Sequence, residues 1–311
     1  MTSNFSSPSG RRDFFEEALF KNLAVVLFGL VINYINGTLL YTFFTNVTFH
    51  SNSRYILYMQ LIINDSIKMS FIVLLLVMSY VCPFLNVSVC IILILIGSNT
   101  HKNTPLNLAI MSIERFVAIC HPLQHPLICT VSRTYALIAC IWVVGAIPGF
   151  IDVIVAFVLK PLSFFSTGRM CYHQNVFDSV HNYNNNYATN ILYMCFVWIT
   201  LIYTYFRVML SAKAATSDPV SARKAQITIL LHGVQLLLCM LSYITPVMDT
   251  TLIILFPNFR SIILFCNNIL TNMLPQLLSP LIYGLRDQKF KKHMKGSLLC
   301  MKTNPVMKPE T

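Results

Sequence analysis

Glu114 and Arg115 stand side by side near the end of a long apolar run, in the stretch M-S-I-E-R-F-V-A-I-C-H-P from Met111 to Pro122. An ion at the centre of a bilayer costs about 2.5–3.5 kcal/mol on insertion scales, so a pair kept inside such a run marks a site; the cost falls if the pair lies at the water interface. More polar groups interrupt other apolar runs. Asn36 lies in the first. Asp65 lies in L-I-I-N-D-S, with Lys68 one turn later, and Thr100-His101-Lys102-Asn103-Thr104 form a polar band. Ser279-Pro280-Leu281-Ile282-Tyr283 closes the last run. Single Asn, Ser and Thr residues are accounted for by interhelical hydrogen bonds of about 0.6 kcal/mol each. Asp65, His101 and Lys102 cost more to keep and point to function.

Other chemistries find little support. His121 and His125 are four apart, but Pro122 and Pro126 argue against a helix there and no third ligand is near, so a metal site is not expected. Ten cysteines occur without a C-x-x-C pair, which suggests neither a zinc site nor a disulfide scaffold. Walker, G-x-S-x-G and H-E-x-x-H patterns are missing, so neither an enzyme nor a cofactor is expected.

The elements that must position these groups are membrane helices. Hydrophobic residues make up 56% of the 311-residue chain and charged residues 11%, about half the soluble average. The apolar residues come in blocks of twenty or more, long enough to cross hydrocarbon, and too long for barrel strands. Seven spans are expected, at about 23–45, 54–80, 87–120, 134–159, 188–210, 225–255 and 261–285, with a long polar loop over 160–186. The fold class is therefore an all-α seven-transmembrane helix bundle. It comprises an outer N-terminal segment (1–22), the bundle (23–285) and a cytoplasmic tail (286–311).

The net charge of +11 reports orientation rather than nucleic-acid binding. Arg54, Arg115, Arg133, Arg207 and the tail cluster Arg286–Lys295 lie on one side, and fewer bases lie on the other. That places the N-terminus outside and the C-terminus in the cytoplasm. Within this frame Asn4 and Asn86 are glycosylation candidates. Leu285, Phe290, Met294 and Leu298 form an apolar stripe among cations, suited to a short amphipathic helix on anionic membrane lipids. Cys300 just beyond is a palmitoylation candidate. Cys90 and Cys171 fall outside, where a disulfide can form. Cys82 is also near that surface, so the pairing is left open.

Seven spans with these marks resemble the rhodopsin-like (class A) G-protein-coupled receptors. M-S-I-E-R-F-V-A-I-C-H-P-L is similar to the odorant-receptor form M-A-Y-D-R-Y-V-A-I-C-x-P-L, and S-P-L-I-Y-G-L-R-D is similar to P-I-I-Y-x-L-R-N. Trp142, Asn36 and Asp65 match further family positions. N-G-T-L-L-Y-T-F-F, N-T-P-L-N-L-A, W-I-T-L-I-Y-T-Y-F-R and L-L-H-G-V-Q-L-L-L-C look most like fish odorant receptors. The chain departs from the family at Glu114 and Phe116, at Ser279, and at Tyr243-Ile244-Thr245-Pro246, where many members carry C-W-x-P.

The resemblance implies a plasma-membrane receptor that binds a small odorant ligand outside and engages a heterotrimeric G protein inside. Cys90 lies twenty-five residues before Arg115, the family spacing for an outer disulfide, which would join it to Cys171. Glu114 would hold Arg115 at rest, and on activation Arg115 would turn toward Tyr205 and Tyr283, beside Pro280. The ligand pocket would lie around Gly97, Ser98, His101 and Lys102. Gly97 stands where amine receptors carry an aspartate. Lys102 would pair with a ligand anion or, through water, with Asp65. Asp65 with Thr104 would hold a sodium ion. The rivals are a receptor of the same fold for a peptide or lipid, and a seven-span transporter, which would show inverted repeats or paired broken helices.

Overall fold

The computed structural model describes residues 15–82, 84–214 and 251–278, with isolated helical positions between 234 and 249. Five long helices carry the first five expected spans: α1 (Phe15–Thr45), α2 (Ser53–Val81), α3 (Val87–Cys120), α5 (Val131–Leu159) and α8 (Val180–Ala214). Three one-turn helices lie between them: α4 (His125–Ile128), α6 (Leu162–Phe165) and α7 (His173–Val176). Residues 251–255 end the sixth span. The seventh begins as Arg260–Asn268 and passes through a π segment, Ile269–Met273. The amphipathic stripe over 286–311 lies outside the described residues.

Side-chain caps fix several starts. Asn52 Oδ1 accepts the Arg54 N–H at 3.1 Å and Asn86 Oδ1 accepts the Ser88 N–H at 3.0 Å. Each takes up a donor that the first helical turn cannot use. Two boundaries differ from expectation. α1 begins at Phe15 rather than Leu23. The asparagine-rich run expected in the loop is instead the first turns of α8. Asparagine is a weak helix former, but Asn185 Nδ2 donates to the Pro148 carbonyl (3.1 Å) and to Asp152 Oδ1 (2.8 Å) on α5. Those tertiary bonds outweigh the local preference.

α3 is the central helix, contacted by α2, α5 and α8. Its buried face includes Leu108, Ala109 and Met111, which pack with Leu57, Leu61, Ile141 and Val197. α3 and α5 approach closely at Gly145 and Gly149. A Cβ at Gly145 would meet the amide oxygens of Asn103 and Asn99, and one at Gly149 would lie 2.7 Å from Leu95 Cδ2. Gly145→Val should therefore push α5 off α3 at an overpacking cost of about 1–3 kcal/mol. The expected outcome is a reduced level of the protein in the membrane fraction by immunoblot; an undiminished level would mean that the two asparagines can swing clear.

At the end of the bundle near the start of α3, Cys90 is bonded to Cys171, with 5.5 Å between the Cα atoms, and Cys82 is a free thiol. Beside the disulfide, two short strands, Leu85–Asn86 and Gly168–Arg169, pair antiparallel. They are a small departure from an all-helical chain. The Ser88 hydroxyl donates to the Phe165 carbonyl at 2.9 Å. Phe164, Phe165, Val176 and Phe177 form a buried apolar cluster with Cys90 and Val87. Lys160 Nζ donates to Asp178, and this bond holds the Asp178 carboxyl below the usual carboxylate range.

Candidate functional site

Polar groups gather at three levels along α3. The first is its carboxyl end. Glu114 is buried, with its Oε1 2.9 Å from His125 Nε2. His125 reaches it because α4 folds back directly after α3. Pro126 lies in the first turn of α4, where a missing N–H costs nothing. As the prolines led one to expect, no helix carries both His121 and His125: a turn over 122–124 separates α3 from α4, and Pro126 starts the short α4. His125 is a partner of Glu114, a role for which nothing in the sequence was a signal. Burial and the nearby Glu114 charge raise the Cys129 thiol above its ordinary range.

α8 flanks this level. Ser112 and Thr204 share a hydrogen bond of 2.6 Å, and Phe116 meets Tyr203 edge-on at 5.7 Å. Tyr205, the expected later partner of Arg115, is 39% exposed and has its ring against Phe206. Pro280 and Tyr283 lie outside the described residues.

The middle level joins α3 to α2. Asn64 Nδ2 donates to the Thr100 carbonyl and to Thr104 Oγ1, each at 2.9 Å, and the Thr104 hydroxyl donates to Asp65 Oδ1 at 3.2 Å. Asp65 and Thr104, expected to hold a sodium ion, are joined directly by this hydrogen bond. Asn36 is fully buried on α1, its amide without a hydrogen-bond partner among the described residues. Lys68 is also buried, one turn beyond Asp65.

The third level lies below the disulfide. Pro105 sits inside α3 and cannot donate to the His101 carbonyl, which loosens the helix next to the polar band. Nothing lies within 4 Å of the position a Gly97 Cβ would take. Ser98 turns its hydroxyl back to the Leu95 carbonyl. His101 lies within Coulombic reach of Lys68 and of Lys102. Lys102 is 5% exposed, and the carboxylate in its field is Asp152 on α5. Asp152 is 4% exposed and is held by Asn185 Nδ2 at 2.8 Å and by His173 Nε2 at 3.5 Å.

The sequence offered Asp65 or a ligand as partner to Lys102. The crossing of α3 and α5 also brings the Asp152 carboxylate into the field of Lys102. Asp152 is the lone acid in the fourth apolar run, and its insertion cost was a usable signal. Asn185 and His173 carried none. Of the modification candidates, Asn86 is exposed and caps α3. Asn4 and Cys300 lie outside the described residues.

Buried ions and amides run along one central helix under a disulfide-tied loop, with no metal-binding cluster among the described residues. They belong to a multi-pass membrane bundle; four of the described helices are long and apolar enough to cross a bilayer. Residues 35–283 match the family model of the 7 transmembrane receptor (rhodopsin family). The chain is similar to odorant receptor 131-2 of Danio rerio, with 33% identity over 306 residues that cover 96% of this chain and 92% of the relative. The match spans the whole transmembrane core, including α3 with Glu114, Arg115 and Lys102, and on it this chain belongs to the rhodopsin family of seven-transmembrane receptors.

Proposed function

We propose that this protein is an odorant receptor of the plasma membrane. Its N-terminus and disulfide face outward, and Glu114 and Arg115 face the cytoplasm. A small ligand enters beneath the loop held by Cys90–Cys171 and binds beside Gly97, Ser98, His101 and Lys102. The observation that carries this reading is the combination of open space at Gly97 with the buried polar set Lys102, Asp152 and Asn185. The odorant-receptor name of the Danio rerio relative supports the ligand class. With glycine at position 97, α3 offers no carboxylate there for an amine ligand.

Binding shifts a two-state equilibrium by its differential affinity for the two states. At rest Glu114, held by His125, restrains Arg115. In the active state Arg115 is released toward Tyr205 and Tyr283, near Pro280, and a heterotrimeric G protein docks. The test of the function is a cAMP readout across an odorant panel in cells supplied with the olfactory G protein. Odorant-dependent cAMP supports it, and a surface-expressed receptor silent to the panel rejects it.

The switch has its own test. Glu114→Gln, or His125→Ala, weakens a charge-assisted hydrogen bond worth about 1.5 kcal/mol, which moves a two-state equilibrium roughly tenfold. Basal cAMP should rise several-fold at equal surface level. Unchanged basal cAMP in a well-expressed variant would remove Glu114 from the switch.

A further inference from the structure

The resemblance implies a mobile sodium ion at Asp65 and Thr104, and the residues present do not fit one. Lys68 follows Asp65 by three residues on α2, so the two share a helix face. Helical side chains lean toward the amino-terminal turn, and for Lys68 that turn carries Asp65. Lys68 is 9% exposed, so most of its side chain lies inside the bundle. Its charge is felt across at His101 on α3, so the space between α2 and α3 already lies in the field of the Lys68 ammonium. The Thr104 hydroxyl is engaged twice, donating to Asp65 and accepting from Asn64 Nδ2.

A sodium ion added here would meet one carboxylate, the Lys68 ammonium and an occupied hydroxyl. It would leave a net positive charge buried without a counter-ion, which is strongly unfavourable. We propose that Lys68 is a tethered cation that neutralises Asp65 in place of sodium, so that the stability and resting state of this receptor do not depend on sodium.

The test compares the thermal midpoint of the full-length, detergent-solubilised receptor in sodium chloride and in choline chloride at matched ionic strength. The wild-type protein should melt at the same temperature in both. Lys68→Met removes the tethered charge and exposes Asp65 to solvent cations. This variant should melt higher in sodium than in choline by about 2 °C or more, the shift expected when a bound ion stabilises the folded state alone. Lys68→Gln serves if the methionine variant does not fold. A sodium-dependent midpoint in the wild-type protein overturns the proposal without any variant. So does a folded Lys68 variant with equal midpoints in the two salts. Neither measurement needs an odorant or a G protein, so the outcome is independent of the proposed function.

Discussion

Cys171→Ser is expected to remove most of the receptor from the cell surface. The bond closes a separation of 81 residues, and cross-linking a loop of that size stabilises by about 4.5 kcal/mol in the chain-entropy account. Set against a typical net stability of about 5–15 kcal/mol, that is a large fraction. The local structure adds to it. Cys90 is buried in the apolar cluster of Phe164, Phe165 and Phe177, and His173, two residues past Cys171, meets Asp152. Freeing Cys171 loosens both attachments. Cys90→Ser should cost as much as Cys171→Ser, and the double variant no more than either, because all three lose the same bond. Cys82→Ser should leave the surface level unchanged, since that thiol is free. Surface immunostaining against total protein reads all four. Wild-type surface levels of Cys171→Ser would mean that the strand pair and apolar cluster hold the loop by themselves.

The helices were legible because lipid makes one demand, long apolar segments with every backbone group bonded internally, and hydropathy along the chain reports it. Hence the expected spans at 54–80 and 87–120 coincide with α2 (Ser53–Val81) and α3 (Val87–Cys120) to within a residue or so. The charged band on α3 was legible for the same reason in reverse, because each ion there is an exception. Lateral partners were not. Which residue faces Lys102 depends on where α5 crosses α3, and Gly145 and Gly149 set that crossing by letting the backbones approach. No periodicity along either helix encodes this register. The same holds for Asn185, whose run reads as loop by composition and becomes helix through its bonds to Asp152 and Pro148. It holds also for His125, whose value lies in the fold-back of α4 onto Glu114.

The largest expected single-residue effect inside the bundle is at Asp152. Asp152→Leu leaves the Lys102 ammonium buried without the carboxylate in its field. Removing a counter-charge from the field of a buried ammonium is unfavourable, so less Asp152→Leu receptor than wild type should reach the surface. The converse change is milder. In Lys102→Met, Asp152 keeps its bond from Asn185 and its contact with His173, so its charge stays partly compensated. Replacing both ions by apolar residues of similar volume is often neutral. Asp152→Leu/Lys102→Met should therefore recover much of the surface level that Asp152→Leu loses. The double-mutant cycle should give a coupling of at least about 1 kcal/mol, and strictly additive losses would show that the two charges do not interact. The pairing bears on the ligand as well. A lysine whose charge is partly offset by an internal carboxylate attracts an anion less strongly, so carboxylic-acid odorants hold little inherent advantage over neutral ones. In Asp152→Asn the ammonium loses its internal counter-charge while Asn185 can still hold the amide, and this variant should gain potency toward acids relative to their esters.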